Sequence, residues 1–165
     1  MKCSHASDII QEIKETIAEL KSYEVDEKTQ SYFAKFLVAY ISGCYEEIIE
    51  SILNEWSCKF HSPEISSYIS ATLDLQFRNP KTEKIVETLG RFNNSWGKEI
   101  SNLPAVNKEG LDALVDWKNS LVHQGNITVT LRQVEDFFTR SIKIMEKIDE
   151  IVLSEYSINP ESNDS

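Results

Sequence analysis

Hydrophobic residues recur at helical spacing along nearly the whole chain. Ile9, Ile10, Ile13, Ile17 and Leu20 predict a first amphipathic helix, with Ser7 as its cap. Asp26 then caps a long second helix whose apolar stripe runs Phe33, Phe36, Leu37, Tyr40, Ile41, Cys44, Ile48, Ile52 and Trp56. Gly43 interrupts that stripe, which reads as a close helix crossing or a kink. Ser62-Pro63 pairs a cap with proline at the first helical position, and Asn79-Pro80 repeats the signal before Ile85, Val86, Leu89 and Phe92. Periodicity weakens from Phe92 to Asn107, as in a bent connection holding a short helix. Asn107 caps the next helix, with Leu111, Leu114, Val115, Leu121 and Val122 as its stripe, and Gln124-Gly125-Asn126 ends it. The alternation in 126–131 fits a short strand in isolation; between two strong helices it reads as an extended connector. Thr130 and Gln133 have capping-box spacing ahead of a last helix bearing Val134, Phe137, Phe138, Met145, Ile148 and Val152.

These elements predict an all-α protein: an antiparallel bundle of four or five main helices with shorter helical pieces between them. One helical domain is expected over residues 1–156, with a disordered tail over 157–165, where polar residues leave little to bury. Composition agrees: 41% apolar residues suffice for a core, and five glycines with four prolines argue against an all-β fold.

Charge narrows the partners. A net charge of −10 disfavours non-specific coating of nucleic acid, which uses a basic stripe, yet leaves room for a small local cationic site. Cys3, Cys44 and Cys58 show no C-x-x-C spacing. Cys44 and Cys58 would stand roughly 21 Å apart on one helix, too far for a disulfide or a shared metal. Together with the absence of a signal-like N-terminus or a membrane-length apolar run, this predicts a cytoplasmic location. His5, His61 and His123 are scattered, so neither a metal nor another cofactor is expected. The acidic residues of the second helix, such as Glu46, Glu47 and Glu50, read as solvated surface. Its aromatics, Tyr32, Tyr40, Tyr45 and Trp56, read as core and interface rather than as a base-stacking platform.

One segment carries chemistry: Trp117-Lys118-Asn119-Ser120-Leu121-Val122-His123-Gln124-Gly125. At about 100° per residue, Lys118 falls in the middle of its helix's apolar arc, while Asn119 and His123, at i and i+4, share one flank. A lysine there breaks the local pattern, as functional residues often do; the plain alternative is a side chain that lays its stem on apolar surface and keeps its ammonium in water. His123 lies at the helix end, where the macrodipole favours an imidazolium; the plain alternative is a capping histidine. A cation that holds phosphate and an imidazole that moves a proton are what metal-free RNA cleavage requires.

The run resembles the motif of the HEPN superfamily, small helical domains of prokaryotic toxin–antitoxin and phage-defence systems, often written R-N-x-x-x-H-G. Here it reads Lys118-Asn119-Ser120-Leu121-Val122-His123, with Gln124 before Gly125. Leu89-Gly90-Arg91-Phe92-Asn93 resembles a segment of the RiboL-PSP subgroup, and Thr130-Leu131-Arg132-Gln133-Val134 resembles the opening of that family's last helix. The resemblance implies a homodimer whose two motifs face one cleft and cut single-stranded RNA without metal, with an antitoxin or defence protein as a further partner. It implies His123 as general acid or base, Asn119 as the orienting amide and Lys118 in the place of the phosphate-binding arginine. That last position departs from the family pattern, because lysine is a point charge where arginine offers a planar fork. A HEPN-like dimer that binds RNA or a partner without cutting, and an unrelated helical adaptor, remain the alternatives.

Overall fold

Asp26 ends an extended link and starts the helix around which the molecule is organised. Its carboxylate accepts the Thr29 N–H at 2.8 Å, a bond that holds the acid below its ordinary pKa. The computed structural model describes residues 1–60, 62–125 and 127–154 of the 165. Among them are seven α-helices, α1 (Ser4–Ser22), α2 (Glu27–Ser57), α3 (Pro63–Gln76), α4 (Thr82–Phe92), α5 (Asn94–Ser101), α6 (Ala105–Gln124) and α7 (Leu131–Ser154), with a 3-10 turn at Cys58–Phe60. The expected tail over 157–165, and Asn126 of the turn, lie outside the described residues.

α2 is the central element because its apolar side is broad. Leu37, Val38, Ile41, Tyr45, Ile48, Ile49, Ile52 and Leu53 are all fully buried. α1 runs antiparallel to it, tied by the Tyr40 hydroxyl to Glu12 at 2.7 Å and by His5 to Glu47 at 3.1 Å. α7 covers a further side of α2, where the buried Tyr45 hydroxyl bonds Ser141, whose own hydroxyl donates to the Phe137 carbonyl at 2.7 Å. α6 packs on both α2 and α7. The expected all-α bundle is therefore what forms, and residues 127–130 are a connector rather than a strand.

Tertiary partners moved two of the expected helix starts, and a neighbouring proline moved a third. The first helix begins at Ser4 and not after Ser7, because the buried carboxylate of Asp149 on α7 accepts the backbone N–H groups of Lys2 and Cys3 at 2.5 and 2.8 Å. α4 begins at Thr82, two residues after Asn79-Pro80; its first N–H is taken by Asp112 of α6 at 2.7 Å, while Asn79 adopts φ 54°. α6 starts at Ala105 behind Pro104, which leaves Asn107 inside the helix rather than at its cap. α2 passes through Gly43 unbroken, and among the described residues nothing comes within 4 Å of where a Cβ would stand, so no described element crosses closely there.

Other expectations stand. Pro63 opens α3, and the Thr130–Gln133 capping box forms reciprocally, at 2.9 Å from the Thr130 N–H and 3.2 Å from the Gln133 N–H. The short helix expected between Phe92 and Asn107 is α5, which brings Trp96 against Trp56 at 5.2 Å between ring centroids. α4 and α5 meet closely at Gly90 and Gly97: a methyl on Gly97 would stand 2.7 Å from the Val86 carbonyl. The three cysteines are free, with Cys3 and Cys44 buried and Cys58 exposed. Of the α2 aromatics, Tyr45 and Trp56 are core as expected, whereas Tyr32 is exposed.

Candidate functional site

The segment 117–125 is the last two turns of α6, and the helix is fixed from several sides. Leu111, Leu114 and Val115 are fully buried. Gly110 lets α6 approach α7: a methyl there would lie 2.8 Å from the Phe137 carbonyl. Trp117 leans on Phe137 with ring centroids 5.0 Å apart, and the Arg140 guanidinium lies over the same Phe137 ring. The buried Ser42 hydroxyl of α2 donates to the Leu114 carbonyl at 3.3 Å. On the side facing α4, Asp112 holds the Thr82 N–H and Asp116 pairs with Lys81 at 2.5 Å, which keeps the Lys81 ammonium above its ordinary pKa. Gly125, at φ 71°, closes the helix in the left-handed region, its N–H returning to the Leu121 carbonyl.

On this support the three motif residues diverge. Lys118 is about three-quarters buried, and its ammonium meets the Glu46 carboxylate of α2 at 2.8 Å. That carboxylate is as sheltered as the lysine, at 26% exposure, and its Oε1 also accepts the Asn79 N–H at 3.1 Å. Lys118 therefore does not snorkel into water, and Glu46 is not a solvated surface acid. It is instead a junction between α2, α6 and the turn before α4. Asn119 is half-buried and His123 is exposed, one turn apart on the same flank. Lys118 and His123 lie about 140° apart around the helix axis. Within one chain the amide and the imidazole share a face, and the cation points elsewhere.

Val122, beside His123, is also exposed (71%), although the stripe placed it inside. The final turn of α6 runs past the helices that bury its earlier turns. A depression of about 500 Å³ opens just after the motif, between the start of α2 and the connector, lined by Gln30, Ser31 and Lys35 on one side and Ile127 to Leu131 on the other. A larger groove, about 640 Å³, lies between α1 and α7 over Ile17, Ala18, Phe138 and Ile142 and includes none of the motif residues. Its size is no argument for chemistry, since its floor is apolar and two of its lysines, Lys21 and Lys143, are paired with Glu135 and Glu146.

Among the described residues no cluster of histidine, cysteine and carboxylate side chains is arranged to hold a metal ion, and no helix is long and apolar enough to cross a membrane. Pattern reading missed Glu46. The signal was available in principle: a cation inside one apolar stripe needs a counter-charge, and Glu46 borders the buried stripe of α2 between Tyr45 and Ile49.

Comparison with known proteins supplies the family. No curated protein and no solved structure matches the chain. The family model RiboL-PSP-HEPN matches residues 4–154, from the first residue of α1 to the last of α7. The chain belongs to the RiboL-PSP-HEPN family.

Proposed function

We propose that the protein is a HEPN-type endoribonuclease that cuts single-stranded RNA without a metal ion, from a site completed by a second copy of the chain. The carrying observation is the end of α6: a buttressed helix that presents an exposed His123 with Asn119 one turn behind it, in a chain of this family. In the proposed reaction the ribose 2′-oxygen attacks the adjacent phosphorus. The P–O5′ bond breaks, leaving a 2′,3′-cyclic phosphate and a 5′-hydroxyl. His123 moves the proton, taking it from the 2′-hydroxyl or giving it to the departing 5′-oxygen. Asn119 holds a non-bridging phosphate oxygen or orients the imidazole. Lys118 supplies positive charge toward the phosphate; because it points away from His123 within one chain, the cation beside a given His123 comes from the partner copy. The unit at work is a single helical domain over 1–156, in the cytoplasm, within a toxin–antitoxin or phage-defence system and with a regulating partner protein.

The ion pair favours a second reading. Glu46 already neutralises Lys118 at 2.8 Å, and a neutralised cation is a poor phosphate ligand. A dimer that binds RNA or a partner without cutting is the form this would take. One experiment separates the two: incubate purified protein with single-stranded RNA in EDTA and follow 2′,3′-cyclic phosphate ends. Cleavage that survives EDTA and falls by about 10²–10⁴-fold in His123→Ala supports the nuclease. Binding without cleavage supports the second reading, and cleavage that His123→Ala leaves intact places the chemistry elsewhere.

A further inference from the structure

α2 carries on its outer side a stripe that no other described helix packs over, touched by the Lys35 ammonium, 5.9 Å from the Tyr32 ring centroid, and by His5 at Glu47. Tyr32 and Phe36 are more than half exposed, and Ala39, Gly43 and Glu47 continue the same ridge at helical spacing, all exposed. Lys28 opens the ridge one turn before Tyr32. Phe36 stacks on Tyr40 with rings 6° from parallel, and Tyr40 is anchored through its hydroxyl to Glu12. The glycine part is open. A Cβ on Gly43 would touch nothing within 4 Å, so among the described residues no contact accounts for a glycine in mid-helix, where it costs about 1 kcal/mol against alanine.

We infer that this stripe is the surface through which two copies of the chain pair, α2 against α2, antiparallel about a two-fold axis near Ala39. The inference rests on the dimer proposed above and adds the face that forms it. The pattern is self-complementary, as a two-fold interface must be. In this register Phe36 of one copy lies over Gly43 of the other, a large flat ring against a site with no side chain. Tyr32 faces Glu47 of the partner copy, where a phenol donates to a carboxylate. The two ends of the stripe differ in charge: Lys28 lies at the start, and Glu47 and Glu50 lie in the second half. Antiparallel pairing brings each cation end to an acidic end, whereas parallel pairing would set like charges together. Pairing there also places the Glu46–Lys118 junction, which borders the stripe, beside the dimer seam.

The test uses the full chain in a Cys58→Ser background, which removes the exposed thiol. Light scattering from 1 to 100 µM measures mass for this protein and for Phe36→Glu, and circular dichroism confirms that each is folded. Ala39→Cys is treated with a short bismaleimide. The expected result is a dimer that Phe36→Glu weakens by roughly 100-fold, as for a central aromatic anchor, and that Ala39→Cys cross-links to itself. A dimer that tolerates Phe36→Glu and fails to cross-link pairs through another face, which overturns this inference and leaves the proposed dimer standing. A monomer at 100 µM overturns both. If Phe36→Glu stays dimeric but loses affinity for a single-stranded RNA oligonucleotide, the stripe is a base-stacking surface and the pairing inference is wrong.

Discussion

Replacing Lys118 with methionine keeps the side-chain stem and removes only the charge that meets Glu46. At 2.8 Å the two charges attract by about 1.5 kcal/mol in a water-like dielectric and about 6 kcal/mol at an effective dielectric of 20. Desolvating two groups that are each about three-quarters buried, and ordering two long side chains, offsets most of this. A net coupling of ~1 kcal/mol remains, above the median for exposed pairs and below the cost of breaking a fully buried one. Lys118→Met should therefore cost ~1–2 kcal/mol, because Glu46 keeps its bond from the Asn79 N–H but loses its counter-charge. For a chain of this size that is a fall in Tm of roughly 2–8 °C. Urea denaturation of the native protein, Lys118→Met, Glu46→Gln and the double variant gives the coupling directly. A coupling below about 0.3 kcal/mol would show that the pair does not form in solution, and with it the account of Glu46 as a junction would fall. The same variants bear on function. If Glu46 restrains the cation, Glu46→Gln should raise RNA affinity in filter binding while lowering stability, two effects that a purely structural pair would not separate.

Four further outcomes are expected. Lys118→Arg should raise cleavage, measured as cyclic-phosphate ends, because a planar fork can bond Glu46 and a phosphate oxygen together; unchanged cleavage would argue against a phosphate role at this position. Asp149→Ala should cost ~2–4 kcal/mol in chemical denaturation, since it strips the partners from two backbone N–H groups at the start of α1; a loss under 1 kcal/mol would mean that water replaces it. Gly110→Ala should destabilise by more than 1 kcal/mol because its methyl meets the Phe137 carbonyl at 2.8 Å, whereas Gly43→Ala should leave monomer stability equal or higher, and a reversed order would contradict the packing. At pH 8 a thiol reagent should label Cys58 rapidly and Cys44 only on unfolding: burial pushes the Cys44 thiol up to about 11, so its reactive thiolate stays scarce until the pH approaches that value.

The helices were legible because burial repeats with the period of the backbone. The α2 stripe, the capping box at Thr130 and Gln133 and the glycine stop at Gly125 are each local patterns whose physics is complete within a few residues. The family was legible from short runs of residues as well. The starts of α1 and α4 were not, since their N–H groups are satisfied by Asp149 and Asp112, each on a helix remote in the chain. No local pattern records such a partner.

The candidate site divides along the same line. Residue order alone put Asn119 and His123 on one flank of a helix and set Lys118 apart from them, because 3.6 residues per turn allows nothing else. What Lys118 does with its charge was a tertiary decision. The crossing of α6 over α2 brings a carboxylate 72 positions away in the chain to its ammonium and turns an odd lysine into half of an ion pair. Exposure was decided there too: Val122, apolar in the pattern, is left in solvent because α6 outruns its neighbours, and Tyr32 and Phe36 because no described helix packs on that side of α2. Periodicity states which residues share a face. Only the packed chain determines which faces find a cover, since that depends on how many helices there are and at what angles they meet.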